Sequence, residues 1–282
     1  MRRRALTLAA VFLVLLAVGA QAQETGAAPA VSAPAAVRSQ AYCTGFIANP
    51  SVPRDLFVVG GADDDFHSVV RQFVQGESIF VSPHKREDIA VGAEYSVVRP
   101  ATELFLTRRY QGQEGDVRRA GKPYEDVAQV RVTHVNEEGV VAKVTFSCGA
   151  ILPGDILIPF QTRGIPPYTI SKPLDHFIPQ DGDKLRGKYQ GRIIAARNNF
   201  GYLGRDSVVY LSLGERQGTV PGERLRIYKV LPPHTTGFLS SERTPSETVG
   251  EVVVLSVQAK SCVAMVISSY REISAGDYIE QE

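Results

Sequence analysis

Residues 123–158 of this chain occur twice. Displaced by 122 positions without a gap, they lie over residues 245–280, and 13 of the 36 positions are identical: Pro123, Glu125, Val127, Val130, Val132, Val135, Val141, Ala142, Val144, Ser147, Ile151, Gly154 and Asp155. Chance would give about two or three matches, so the chain contains a duplication, and its fold must be one that can be built twice. A second matched block lies upstream, where residues 78–82 and 95–98 align with 208–212 and 225–228 at an offset of 130.

The repeated unit reads as strands. Residues 127–135 and 140–146 are β-branched runs joined by the polar Asn136-Glu137-Glu138-Gly139, with Gly139 expected to take positive φ. Leu225 and Ile227 alternate with Arg224, Arg226 and Tyr228, the pattern of a half-buried antiparallel strand. After each hairpin comes Ile-x-x-Gly-Asp, ending at Gly154-Asp155 and Gly276-Asp277. Paired aspartates can be catalytic or metal carboxylates. Here each follows a turn glycine and precedes a closing strand, so the expected role is structural: glycine takes the tight turn and aspartate accepts a backbone N–H across it. Valine and isoleucine are prominent and tryptophan is absent. The expected fold is therefore all-β, two tandem homologous small barrel-like domains over residues 42–160 and 187–282.

Residues 1–22 have the order of a secretory signal: Arg2, Arg3 and Arg4, an apolar core over residues 5–18, then Ala20-Gln21-Ala22 as an A-x-A cleavage site. The expected location is periplasmic or secreted, with no transmembrane segment in the mature chain. Cleavage would leave 28 basic against 30 acidic side chains, a net charge of −2, which argues against a nucleic-acid partner. Residues 23–41 are rich in alanine, proline and serine and read as a disordered spacer. Residues 161–186, with Pro166, Pro167, Pro173 and Pro179, read as a linker between the copies.

Three cysteines are present. In an oxidising compartment the simplest pairing joins Cys43 to Cys148, both in the first copy, with a loop-entropy contribution of roughly 4–5 kcal/mol. Cys262 shares a strand face with Ala264 and Val266 and is expected to be a buried free thiol.

The copies differ most between their matched blocks. The change of offset from 130 to 122 makes this connector eight residues shorter in the second copy. In the first copy it spans residues 100–122, allows a short helix ending at Gly121, and carries Arg108, Arg109, Tyr110, Arg118 and Arg119. Those five residues are the candidate binding surface, a basic and aromatic face for a glycan, a lipid headgroup or an acidic protein. The alternative is a solvated helix face balanced by Glu103, Glu114, Asp116 and Glu125. Asp63-Asp64-Asp65 lacks the spacing of a calcium loop, and Gly214, Gly218 and Gly222 lack the Lys-Ser/Thr of a phosphate loop. The five histidines stand singly in sequence, and no hydrolase or metalloprotease motif occurs. No catalytic residue, metal site or cofactor is expected.

The run Val209-Tyr210-Leu211-Ser212-Leu213-Gly214, then Gly218, then Gly222-Glu223-Arg224-Leu225-Arg226-Ile227-Tyr228, followed by Val249-Gly250-Glu251 and Ile273-Ser274-Ala275-Gly276-Asp277, resembles a known pattern. It is similar to the C-terminal β-domain of the flagellar assembly protein T family and of related exported envelope proteins, some carrying LysM modules. The resemblance covers about 95 residues of the second copy and the first copy more loosely. It implies a small barrel used for assembly or binding in the periplasm, without a reaction. The expected function is a non-catalytic exported scaffold or binding protein of the bacterial cell envelope, with an envelope protein or cell-wall glycan as partner. The alternative is an envelope enzyme, or an enzyme accessory, with a site formed between the repeats.

Overall fold

The computed structural model describes residues 32–34, 38–62, 72–83, 89–101, 108–137, 139–164, 167–169, 190–197, 200–230, 235–236, 239–240 and 246–281. The signal and cleavage site at residues 1–22, the acidic run at 63–65 and most of the 161–186 linker lie outside them. At the end of the expected spacer, β1 (Ser32–Pro34) and the helix α1 (Arg38–Tyr42) precede β2 (Phe46–Ala48).

The first copy then runs β3 (Leu56–Gly61), β4 (Ser78–Pro83), β5 (Glu94–Pro100), α2 (Gln113–Ala120), β6 (Lys122–Val135), β7 (Val140–Ser147) and β8 (Ile156–Pro159). After β9 (Pro167–Thr169), which pairs with β1, the second copy runs β10 (Gln190–Ala196), β11 (Val208–Leu211), β12 (Arg224–Val230), the small hairpin β13 (Thr235–Thr236) and β14 (Leu239–Ser240), then β15 (Ser246–Val257), β16 (Cys262–Ser269) and β17 (Tyr278–Gln281).

Among the described residues the strands close into two antiparallel rings of the same topology. The first is β3-β4-β7-β6-β5-β8, with β8 returning to β3 and β2 added at the outer edge of β6. The second is β10-β11-β16-β15-β12-β17, with β17 returning to β10. Closure leaves neither ring with a bare edge to template association.

Even the irregularities are duplicated. Bulges fall at Gln129/Val130 and Val132/His134 in the first long hairpin, and at Glu251/Val252 and Val254/Ser256 in the second. Those at Val97/Val98 and Val58/Gly60 recur at Ile227/Tyr228 and Ile193/Ala195. A bulge bends its strand and raises the local twist, which small rings need in order to close. Strand alternation fills each interior with its own apolar core, from Val58, Ile79, Val97, Val130, Val132, Ala142 and Val144 in the first ring and Ile193, Val209, Ile227, Val252, Val254, Ala264 and Val266 in the second.

Gly154 and Gly276 adopt φ of 92° and 104°, as their turns require. In the turn after β6 the Asn136 side-chain carbonyl accepts the Gly139 N–H at 3.0 Å. The polar face of β12 is also less exposed than its alternation predicts. Arg224 and Arg226 pair with the buried Glu251 and Glu280 from the neighbouring strands, which gives each charge an opposite partner in place of water.

The rings pack side by side through a third apolar core. Phe46, Ile47, Ala48, Val98, Tyr124 and Ile156 of the first copy meet Ile194, Ala195, Val208, Tyr210 and Val263 of the second. This explains why β11 is buried on both faces over its whole length. Burying each large side chain contributes about 1.5–3 kcal/mol, so residues 32–282 behave as one compact unit. Directed bonds set the alignment: the Tyr210 hydroxyl donates to the Thr44 carbonyl at 2.7 Å, and the Ser261 hydroxyl to the Ile47 carbonyl at 3.1 Å. The disulfide Cys43–Cys148, Cα to Cα 5.5 Å, ties the segment between α1 and β2 to the end of β7.

Candidate functional site

The connector of the first copy folds over the second barrel. Its helix α2 begins after Gly112 and ends where Gly121, with φ of 138°, donates its N–H to the Val117 carbonyl. Gln113 is the anchor. Its side-chain carbonyl accepts the Arg109 N–H at 2.7 Å, and its amide donates to the Ile194 carbonyl of β10 at 2.9 Å. Buried at 4% exposure, Gln113 thus has partners at both ends of its amide.

The five residues of the basic-aromatic connector separate into two groups. Arg108, Arg118 and Arg119 line one groove of about 630 Å³, within the usual size of a ligand site. Tyr110 and Arg109 do not line it. Tyr110 packs against the core of the second ring, its Cβ 3.0 Å from where a Cβ on Gly276 would stand. Its hydroxyl donates to Asp116 Oδ2 at 2.8 Å; burial first, and this hydrogen bond second, push its pKa well above the ordinary phenol value. Arg109 lies against Gly201 of the second copy. Those two residues belong to the joint between the copies.

The groove has a fourth arginine, Arg192 on β10, which sequence reasoning placed only within a strand. Its guanidinium lies 4.3 Å from the Tyr278 ring centroid, bonds the Tyr278 hydroxyl and stands 5.8 Å from the Tyr110 ring. Stacking between two aromatic rings holds its planar fork in place. Nothing near Arg192 in sequence marks it, because Tyr278 and Tyr110 reach it from 86 and 82 positions away. Glu114 and Asp116 share the groove wall, and Asp116 forms an ion pair with Arg119. Chemically the arrangement is an open, mixed-charge cleft with cationic excess, suited to binding a polar anion.

Asp155 and Asp277 lie in the turns and do not come together as a pair of site carboxylates. Asp155 accepts the Leu152 N–H at 2.8 Å and is gripped by Arg99; Asp277 accepts the Ser274 N–H at 2.9 Å and faces Lys229. Arg99 and Lys229 are themselves equivalent at the offset of 130, a signal present in the sequence but overlooked there. Sequence reasoning also missed Asp126 and Arg163, joined by two bonds of 2.6 and 2.8 Å, with Asp126 also accepting the Gly45 N–H. This half-buried pair clamps the residues after β8 onto the segment that follows α1.

Cys262 is free and buried in the second core, where desolvation drives its pKa far above the usual thiol value. Among the described residues no group of three histidine, cysteine, aspartate or glutamate side chains is placed to hold a metal ion, and no helix is long and apolar enough to cross a membrane. His134 is exposed on β6; the other four histidines lie outside the described residues. No known family model matches the chain, and no curated protein matches it.

Proposed function

We propose that this is a non-catalytic binding or scaffold protein of a bacterial cell envelope, acting in the periplasm or outside the cell, and that the groove between α2 and β10 is its binding surface. One observation carries the reading. The groove is built from both copies and held by the buried bond of Gln113 to Ile194 and the close packing of Tyr110 on Gly276, so its arginines are presented by a firm support. The signal-like order of residues 1–22 and the Cys43–Cys148 bridge support an exported setting. The resemblance to the C-terminal domain of the flagellar assembly protein T family supports an assembly or binding role.

A photo-reactive residue at Arg118, introduced in cells, should give a discrete adduct in envelope fractions. Absence of any adduct, with the protein correctly exported, would count against the reading. Mass spectrometry of the mature chain should find cleavage after Ala22, and a retained Met1 would count against export. The second reading, an enzyme or enzyme accessory with a site between the copies, draws on the same junction of Arg118 and Arg192. It predicts that one groove substitution abolishes turnover of a substrate, whereas a binding surface loses affinity stepwise.

A further inference from the structure

We propose that the arginine groove and the tip formed by Phe200, Gly201 and Tyr202 act as one surface for an anionic polysaccharide, a chain of sugars bearing carboxylate or phosphate groups. The inference rests on the groove being the binding surface proposed above, and names what it binds.

Charge comes first. The groove wall carries four arginines against two carboxylates, an excess of two positive charges. Arg119 is partly committed to Asp116 and Arg192 to its tyrosines, whereas Arg108 and Arg118 are exposed and have no acidic partner among the described residues. Guanidinium groups recognise carboxylate and phosphate through paired, planar hydrogen bonds.

The second copy also holds two large aromatic side chains in water. Phe200 is 60% exposed and Tyr202 75% exposed. They stand on firm ground, because the next residue, Leu203, is buried and bridges Ile273. The tip meets the same connector that lines the groove. Arg109 Nη1 lies 3.2 Å from where a Cβ on Gly201 would stand, and the preceding residue, Arg108, lines the groove. A sugar chain presents apolar C–H faces, hydroxyl groups and, where acidic, regularly spaced anions. Exposed rings take the first, the mixed guanidinium and carboxylate wall takes the second, and Arg108 and Arg118 take the third. A flat phospholipid surface would bring its phosphates against Glu114 and Asp116 as well, which costs repulsion. An acidic peptide would leave the two aromatic rings without a role.

The test uses the mature chain and four probes in titration calorimetry: a hexagalacturonate, a phosphate-bearing oligomannose of equal length, polyglutamate, and phosphatidylglycerol vesicles. Binding of either anionic oligosaccharide is expected, weakened about tenfold or more by Arg118→Ala and severalfold by Tyr202→Ala, with Tm unchanged. Full methyl esterification of the hexagalacturonate should weaken its binding by a similar factor. Equal binding of polyglutamate, insensitive to Tyr202→Ala, would overturn the glycan assignment and leave a charge-only site. Binding of vesicles alone would overturn it in favour of a lipid surface. If no probe binds, the glycan assignment fails, while an adduct from position 118 in cells would keep the broader binding reading standing.

Discussion

Arg99 grips Asp155 with two hydrogen bonds, Nε to Oδ1 at 2.7 Å and Nη2 to Oδ2 at 2.6 Å, and the equivalent pair in the second barrel, Lys229 and Asp277, stands 3.7 Å apart. Duplication kept the charges and changed the geometry. The planar guanidinium holds the first turn at two points and also donates to the Ala150 carbonyl at 2.9 Å; the ammonium in the second copy makes one looser contact. Asp155→Asn should therefore destabilise the protein by about 2–4 kcal/mol, and Asp277→Asn by clearly less. Urea melts of the two variants side by side check the order.

The Asp277 carboxyl is held above its ordinary value of 3.8, chiefly because burial disfavours the charged form, against the opposing pull of the Ser274 N–H and Lys229. A native acid with a raised pKa binds its proton more tightly than the unfolded chain does. Its favourable term is complete below pH 3.8 and is lost as pH rises through the raised native value. Asp277→Asn should flatten that part of the stability profile. A carbon-detected titration of the Asp277 carboxyl showing an ordinary or lowered value would contradict this.

Gly45 sits at the joint of the barrels with φ of 71°, where a Cβ would come within 2.5 Å of the Tyr124 carbonyl oxygen and 2.8 Å of the Tyr210 hydroxyl. Gly45→Ala should cost more than about 2 kcal/mol, through backbone strain and collision together. Tyr210→Phe removes only the bond to Thr44 and should cost about 1–2 kcal/mol. Thermal melts and limited proteolysis between the copies measure both.

Replacing Cys43 and Cys148 together by serine should lower stability by about 2–5 kcal/mol, since the bridge closes a 105-residue separation and anchors the segment leading into β2. The thiol of Cys262 should react with an aromatic disulfide reagent only after denaturant is added, because burial holds it protonated. Rapid labelling of the folded protein would refute this.

The connector carries structure and surface in separate residues. Arg108→Ala, Arg118→Ala and Arg119→Ala combined should leave Tm nearly unchanged, as these side chains are exposed. Tyr110→Ala should cost about 2 kcal/mol, because the ring closes the end of the second core. A large loss from the arginine triple variant would make the whole connector structural.

The sequence by itself determined the duplication, the strands and the turns, because those signals are local. Period-two alternation set inward residues such as Leu225 and Ile227, and the Gly154 and Gly276 turns needed positive φ. The Cys43–Cys148 pairing was legible for a similar reason, as one compartment and one repeat left a single simple partner. Only the tertiary structure decided how the rings close and how they join. Ring closure depends on pairings such as β3 with β8, between segments separated in the chain. The joint depends on Tyr210 finding Thr44 across 166 residues and Gln113 finding Ile194 across 81. Arg192 enters the groove through the same long-range packing. No local pattern encodes which surfaces two copies of a barrel will turn toward one another; that follows from the shapes and hydrogen-bonding groups left on their outer faces after each core is filled.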